Sequence, residues 1–253
     1  MNIKILTGTV VTLSLLSFAN ADISNLNEAI NKAGKQRMLS QKMMKNYSMV
    51  GMNMKFNNPS KQLADSISLF DTTLSELEKF IKDKDALKAI SEVKLFWNKI
   101  KPSISSAPDK TKALKLAKSM DKLLELSHNT TVSITKISKD SSAKIINISG
   151  KQRMLAQRLG NLYMLKVWSL GIDDVKLQNS IKEFASAQKK LEEFPKNTDD
   201  IKNGLLDVKK DFAFFEILGA SKSKKYIPSL ISRSSNKITK QMNVVTKLYV
   251  EIK

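Results

Sequence analysis

An internal repeat limits what this chain can fold into more than any other feature does. Residues 30–47, INKAGKQRMLSQKMMKNY, return at 146–163 as INISGKQRMLAQRLGNLY, and GKQRML is identical in both copies. The copies lie 116 positions apart in a chain of 253 residues, so two similar units of about 100–120 residues suit the length better than one large domain. A second block keeps the same register. SISLFDTTLSELEKF at 66–80 aligns with SIKEFASAQKKLEEF at 180–194, at an offset of 114. Whatever forms first must therefore form twice.

The repeated unit reads as helix. Only 8 glycines and 5 prolines interrupt a chain that is 42% hydrophobic, and apolar residues recur at helical spacing. Ser24 or Asn25 can cap a first helix, with Glu28 in its first turn and Leu26, Ile30, Ala33, Leu39, Met43, Tyr47 and Val50 as its apolar positions. Pro59 ends that helix. A second helix is predicted over about 60–82 (Leu63, Ile67, Phe70, Leu74, Leu77, Ile81). A third over about 85–101 carries Leu87, Ile90, Val93, Phe96, Trp97 and Ile100. Pro102 and Pro108 are expected to bracket a loop before a fourth helix near Asp109. The second half repeats the plan, with its third helix at about 199–218 and its fourth at about 228–251, where Pro228 takes a first-turn position. Asp173-Asp174 and Asp199-Asp200 fall at helix starts, where carboxylates suit the dipole.

The expected fold is thus all-α, two tandem antiparallel four-helix bundle modules over 22–140 and 141–253. The junction has two solutions. No Gly or Pro occurs between 109 and 149, so one long helix could run through both modules. The other solution, preferred here, breaks the helix in SKDSSAK at 138–144, because Asp140 aligns with the capping candidate Ser24.

Residues 1–21 read as a signal peptide. Lys4 provides the positive start, 5–18 a mostly apolar run, and Ala19-Asn20-Ala21 a cleavage site before Asp22. No later segment approaches the roughly 18 apolar residues of a membrane span, and there is no cysteine to form a disulfide. A periplasmic, exported product is expected. The net charge of +19 falls by one with Lys4. Export, an aromatic content of 6% and the lack of a nucleic-acid motif argue against DNA or RNA as partner. The charge fits a lysine-coated surface, attraction to anionic surfaces, or steering of small anions.

On a helix, Ile30, Gly34, Arg37 and Gln41 share one stripe, as do Ile146, Gly150, Arg153 and Gln157. A glycine inside a helix costs about 1 kcal/mol relative to alanine, and what it offers is close approach of another helix. The arginine three residues on lies on the same face, and its planar fork can grip a trigonal oxyanion with two hydrogen bonds. Gln41 and Gln157 add donors and an acceptor beside it. Packing alone would also preserve such a segment, with the arginine snorkelling past the crossing.

The segments AGKQRMLSQKM and SGKQRMLAQRL resemble the signature of the PilJ/NarX-type sensor domain, the periplasmic four-helix module of nitrate/nitrite sensor kinases and some chemoreceptors. The Gly-x-x-Arg-Met core, preceded by Asn and a small residue, is met by Asn31, Ala33, Gly34, Arg37 and Met38, and again by Asn147, Ser149, Gly150, Arg153 and Met154. Lys42 and Arg158 match a basic residue five positions beyond the arginine. The resemblance covers 22–253 as two tandem modules. It implies a nitrate- or nitrite-like anion bound where two first helices meet, with Gly34, Arg37, Gly150 and Arg153 as the matching residues. In the family two chains meet across a homodimer axis, whereas here Arg37 can face Arg153 within one chain. A continuous central helix would instead demand a homodimer with two sites. Family sensors carry membrane helices and a cytoplasmic signalling part. Neither is read in these 253 residues, so a separate membrane sensor kinase, chemoreceptor or oxidoreductase is expected to receive its signal.

Other classes find less support. No nucleophile elbow, phosphate loop or cluster of metal ligands is present, so neither enzyme activity nor a metal nor another cofactor is expected. The single histidine, His128, reads as an exposed or satisfied residue. Met38, Met43, Met44, Met49, Met52 and Met54 surround the first helix too evenly for a soft-metal site and suit adaptable core packing. The rival reading is a basic helical interaction or adhesion protein that binds anionic surfaces or a partner and takes no small ligand.

Overall fold

The computed structural model describes residues 23–171, 174–220 and 226–252, with the side chains of 219 and 220 excepted. The predicted signal peptide and Asp173 lie outside the described residues. The described residues form eight helices and no strand: α1 (Leu26–Gly51), α2 (Pro59–Phe80), α3 (Lys84–Ser105), α4 (Lys110–Ile137), α5 (Ala143–Val167), α6 (Asp174–Glu192), α7 (Asp199–Ala220) and α8 (Pro228–Glu251). The fold is all-α, as the periodicity predicted. Among the described residues no helix is long and apolar enough to cross a membrane.

Local chemistry sets the helix starts. The side chains of Asn25, Asn58, Asp83 and Asp109 accept backbone N–H groups from the first turns of α1 to α4. Asn58 does so from a left-handed conformation with φ 45°, which an asparagine tolerates better than most residues. One expectation fails at Pro102. The loop predicted to begin there is helix, and α3 continues to Ser105. A proline removes a hydrogen bond, but one turn from the end it removes little else, and the extra turn buries Ile104 completely. Burial outweighs the missing donor.

The junction is a break, not a continuous helix. α4 stops at Ile137 and α5 starts at Ala143. Asp140 Oδ1 accepts the N–H of Ser142 at 2.8 Å and its hydroxyl at 2.7 Å. Its other oxygen accepts Asn27 Nδ2 at 2.6 Å, fastening the turn to the start of α1. Because the chain reverses here, α5 runs parallel to α1.

α1 packs on α2 and α4, and α3 on α4 and α2; α5 packs on α6 and α8, and α7 on α8 and α6. The two groups of four meet mainly along α1 and α5, which also form the most extensive helix pair in the molecule. The repeat is visible in the packing. Phe70 lies 4.5 Å from Trp97 between ring centroids, and the equivalent Phe184 stacks on Phe212 at 3.9 Å. Tyr47 Oη accepts the N–H of Asp109 at 3.0 Å, and Tyr163 Oη accepts that of Ile227 at 2.7 Å. α1 and α5, covered on nearly every side, bury polar residues as well as apolar ones. Met38, Met43, Met44 and Met49 are all core residues. The buried apolar side chains form one continuous cluster through both groups.

That continuity makes unfolding cooperative across the chain. Phe70→Ala and Phe184→Ala should each cost about 3–5 kcal/mol. In urea, each variant should show one transition, with tryptophan fluorescence and far-ultraviolet circular dichroism coinciding. Two resolved transitions would show that the halves fold separately.

Candidate functional site

The centre of the molecule is the crossing of α1 and α5 at Gly34 and Gly150. A Cβ placed on either glycine would stand 3.6 Å from the other's Cα. It would also stand between 3.1 and 3.3 Å from Nη2 of both Arg37 and Arg153. The glycines therefore clear the space into which both guanidinium groups converge. Each arginine reaches across to the opposite helix. Arg37 Nη2 donates to the carbonyl of Asn147 at 3.0 Å, and Arg153 Nη2 to that of Asn31 at 3.1 Å. Each then meets the fourth helix of its own half. Arg37 Nη1 lies 3.3 Å from His128 Nδ1, and Arg153 Nη1 donates to Asn243 Oδ1 at 3.0 Å.

Both side chains are essentially inaccessible, Arg37 at 1% and Arg153 at 0%. Their partners are neutral, and among the described residues neither arginine forms an ion pair or finds a partner for its Nε. Burial lowers the pKa of Arg37 to about 10. Burial and then the charge of Arg37 lower that of Arg153 to about 9. Both groups remain cationic at neutral pH. Two like charges thus share a low-dielectric space without a counter-charge, an arrangement that costs stability.

The remaining predicted residues divide. Gln41 and Gln157 are buried but do not hydrogen-bond either guanidinium. Gln41 accepts Asn161 Nδ2 at 3.0 Å and donates to Asp121 at 3.4 Å, joining α1 to α5 and α4. Gln157 donates to Ser235 O, Asn236 Oδ1 and Thr239 Oγ1 of α8. Lys42 is half-buried. Burial lowers its pKa and Asp65 partly restores it. Arg158 lines a cleft of about 360 Å³ together with Arg37, Asp121, Glu125, His128, Lys151 and Glu183. No cluster of three or more His, Cys, Asp or Glu able to hold a metal occurs among the described residues.

Sequence reasoning missed two participants. His128, set aside as a lone histidine, touches Arg37 at the site. Lys45 is fully buried on α1, its Nζ donating to Ser235 Oγ at 3.1 Å and Asn236 Oδ1 at 2.8 Å. Gly160 makes room for it, since a Cβ there would stand 2.9 Å from Lys45 Cδ. For His128 a signal existed, because it aligns with Asn243 on the repeat's fourth helix and both meet the arginine of their half. For Lys45, whose counterpart is Asn161, periodicity alone gives no sign that a lysine lies inside.

The chain belongs to the family described as the type IV pili methyl-accepting chemotaxis transducer N-terminal domain, PilJ, which matches residues 18–123 and 135–211. The two matched segments accord with two tandem copies. This is a signalling family of periplasmic sensing domains, not an enzyme family. Neither the curated proteins nor the solved structures include a match to the chain.

Lys45 provides a test of the buried charges. Burial, and then Lys42, hold its pKa well below the ordinary lysine value of 10.5. The unfolded chain therefore binds more protons than the folded one, and this residue's penalty fades as pH rises toward 10.5. Lys45→Met leaves neither partner without a hydrogen bond, because Asn236 Oδ1 still accepts from Gln157 and the Ser235 hydroxyl still donates to Ser232 O. The variant should gain on the order of 1–4 kcal/mol at neutral pH. In urea titrations the gain should shrink as pH approaches 10.5; a loss of stability at pH 7 would contradict this account.

Proposed function

We propose that this protein is a periplasmic sensing protein that holds a small oxyanion of the nitrate or nitrite class between Arg37 and Arg153. One observation carries the reading: two buried guanidinium groups converge over Gly34 and Gly150, and among the described residues neither has an ion-pair partner. A planar monoanion seated there accepts hydrogen bonds from both forks and cancels their repulsion. Gln41 and Gln157 then act one turn further along as braces that hold α4 and α8 against the central pair.

The two modules, 22–140 and 141–253, form in this reading the halves of one shared site, so that one chain supplies what a homodimer would otherwise supply. Binding changes the electrostatic balance at the crossing and with it the relative stability of alternative packings of α1 against α5. Its receiver is a membrane partner such as a sensor kinase, a chemoreceptor or an oxidoreductase. Membership of a chemotaxis-transducer family supports a signalling partner of this kind.

The test is thermal unfolding of the protein with nitrate, nitrite, chlorate, sulfate, formate and chloride in turn. Binding to the folded state alone stabilises by about 2.7 kcal/mol at a hundred times Kd. Nitrate or nitrite should raise Tm selectively, and Arg37→Met and Arg153→Met should each abolish the whole response while raising the anion-free Tm. Half the sites surviving at full affinity in either variant would refute a shared site. A flat response to all six anions at millimolar concentration would favour the interaction-protein reading, whose mark is binding to polyanions that weakens steeply with salt.

A further inference from the structure

The two arginines are related by the repeat, but their surroundings are not. Arg153 leans on Asn243, an amide that cannot titrate, whereas Arg37 leans on His128, the only histidine in the chain. The contact fixes the state of the imidazole. A guanidinium has only donors to offer, so His128 Nδ1 must be the unprotonated, accepting nitrogen. Protonating Nδ1 would remove the acceptor from Arg37 and place a third positive charge beside the pair.

We infer that the site takes up its anion together with a proton, and that His128 is the group that receives it. The inference rests on the anion-binding reading above. In the anion-free protein His128 is neutral and occupies Arg37 Nη1. When an anion enters, its charge offsets that of an imidazolium. The ring then takes a proton from solvent at Nδ1, Arg37 Nη1 is released toward the ligand, and the new N–H becomes a further donor beside the pair. Anion plus proton enter and net charge does not change.

The charged groups that line the cleft with His128 support this one-sided arrangement. They are Arg37 from α1, Lys151 and Arg158 from α5, Glu183 from α6, and Asp121 and Glu125 from its own helix. Among the described residues α3, which packs on the other side of α4, contributes none to the cleft. Lys151 is paired with Glu183, and Glu125 with Lys122, so Arg37 is the charge in direct contact with the ring. Burial, then Arg37, then Lys151 hold the imidazole below its ordinary pKa of 6.5, with Glu183 opposing. The cleft of about 360 Å³ gives solvent protons a path to the ring. The repeat makes the comparison internal: at the equivalent positions of the other half, Asp121, Glu125 and His128 are replaced by Asn236, Lys240 and Asn243. The half holding Arg153 therefore carries no proton-accepting counterpart to any of the three.

Because a base with a depressed pKa gains a proton on binding, affinity must rise as pH falls between its anion-free and anion-bound midpoints, by up to about tenfold per pH unit. The experiment is calorimetry of nitrate and nitrite with the protein at about pH 5 and about pH 8, bracketing the imidazole range, in two buffers of different ionisation enthalpy. Wild type should bind at least about threefold more tightly at the lower pH, with net proton uptake. His128→Asn, which installs the residue used by the other half, should bind with the same affinity at both pH values and with no net proton uptake. Equal affinity at both pH values in wild type, or a pH dependence that survives in His128→Asn, overturns the inference while leaving the anion-binding reading intact. Absence of binding at both pH values overturns the two together. Without any anion, the imidazole followed by NMR should titrate below 6.5 and move upward in Arg37→Met. An ordinary midpoint that ignores Arg37 likewise refutes the contact.

Discussion

The approach of α1 to α5 at Gly34 and Gly150 is the constraint on which the rest of the molecule depends. A side chain at either position would stand 3.1–3.3 Å from both guanidinium tips, so each arginine would have to shift from its bond to the other helix's backbone. Closeness places two positive charges in one buried space, a poor choice if stability were the only criterion. The surrounding structure must hold it there. The turn at 138–142 does so from one end through Asp140, Ser142 and Asn27, and the Tyr47 and Tyr163 hydroxyls anchor the starts of α4 and α8 at the other.

Duplication explains the symmetry, and departures from it carry the chemistry. The cross-helix bonds Arg37 to Asn147 and Arg153 to Asn31 are copies of one interaction, and so are the aromatic pairs Phe70–Trp97 and Phe184–Phe212. At three positions around the central pair one side has a titratable group and the other an amide: His128 against Asn243, Asp121 against Asn236, Lys45 against Asn161. A homodimer of identical modules could not make such distinctions, since any change would occur on both sides. A single chain holding two copies can place a proton acceptor beside one arginine and withhold it from the other.

Much of the fold was legible because helices announce themselves in apolar period and in caps. Asn25 and Pro228 mark helix starts, and Leu63, Phe70, Leu74 and Leu77 trace the buried face of α2 as the period requires; Pro59, expected to end α1, instead opens α2, because α1 already stops at Gly51. Pro102 misled because a local rule, that proline ends a helix, gave way to the burial of Ile104 two residues later. The site was legible in part. Gly34, Arg37, Gly150 and Arg153 stand out in the sequence because glycine in a helix needs a reason and arginine beside it suggests one. Gln41 and Gln157 share their stripe, but a stripe on a helix spans several turns, and only the turn at the crossing meets the other guanidinium.

By itself the sequence determined that there are two like units, that each is helical, and which helix of each is unusual, because those properties follow from period, composition and repetition along the chain. It did not determine that the two unusual helices run parallel and touch. That depended on a break of a few residues between α4 and α5, held by hydrogen bonds from Asp140 to residues on two helices. Nor did it determine that His128 belongs with Arg37, 91 positions away, or that Lys45 lies inside. Those facts belong to the tertiary structure, because burial and proximity between distant residues arise only when helices pack, and it is burial that makes a charge at the crossing matter.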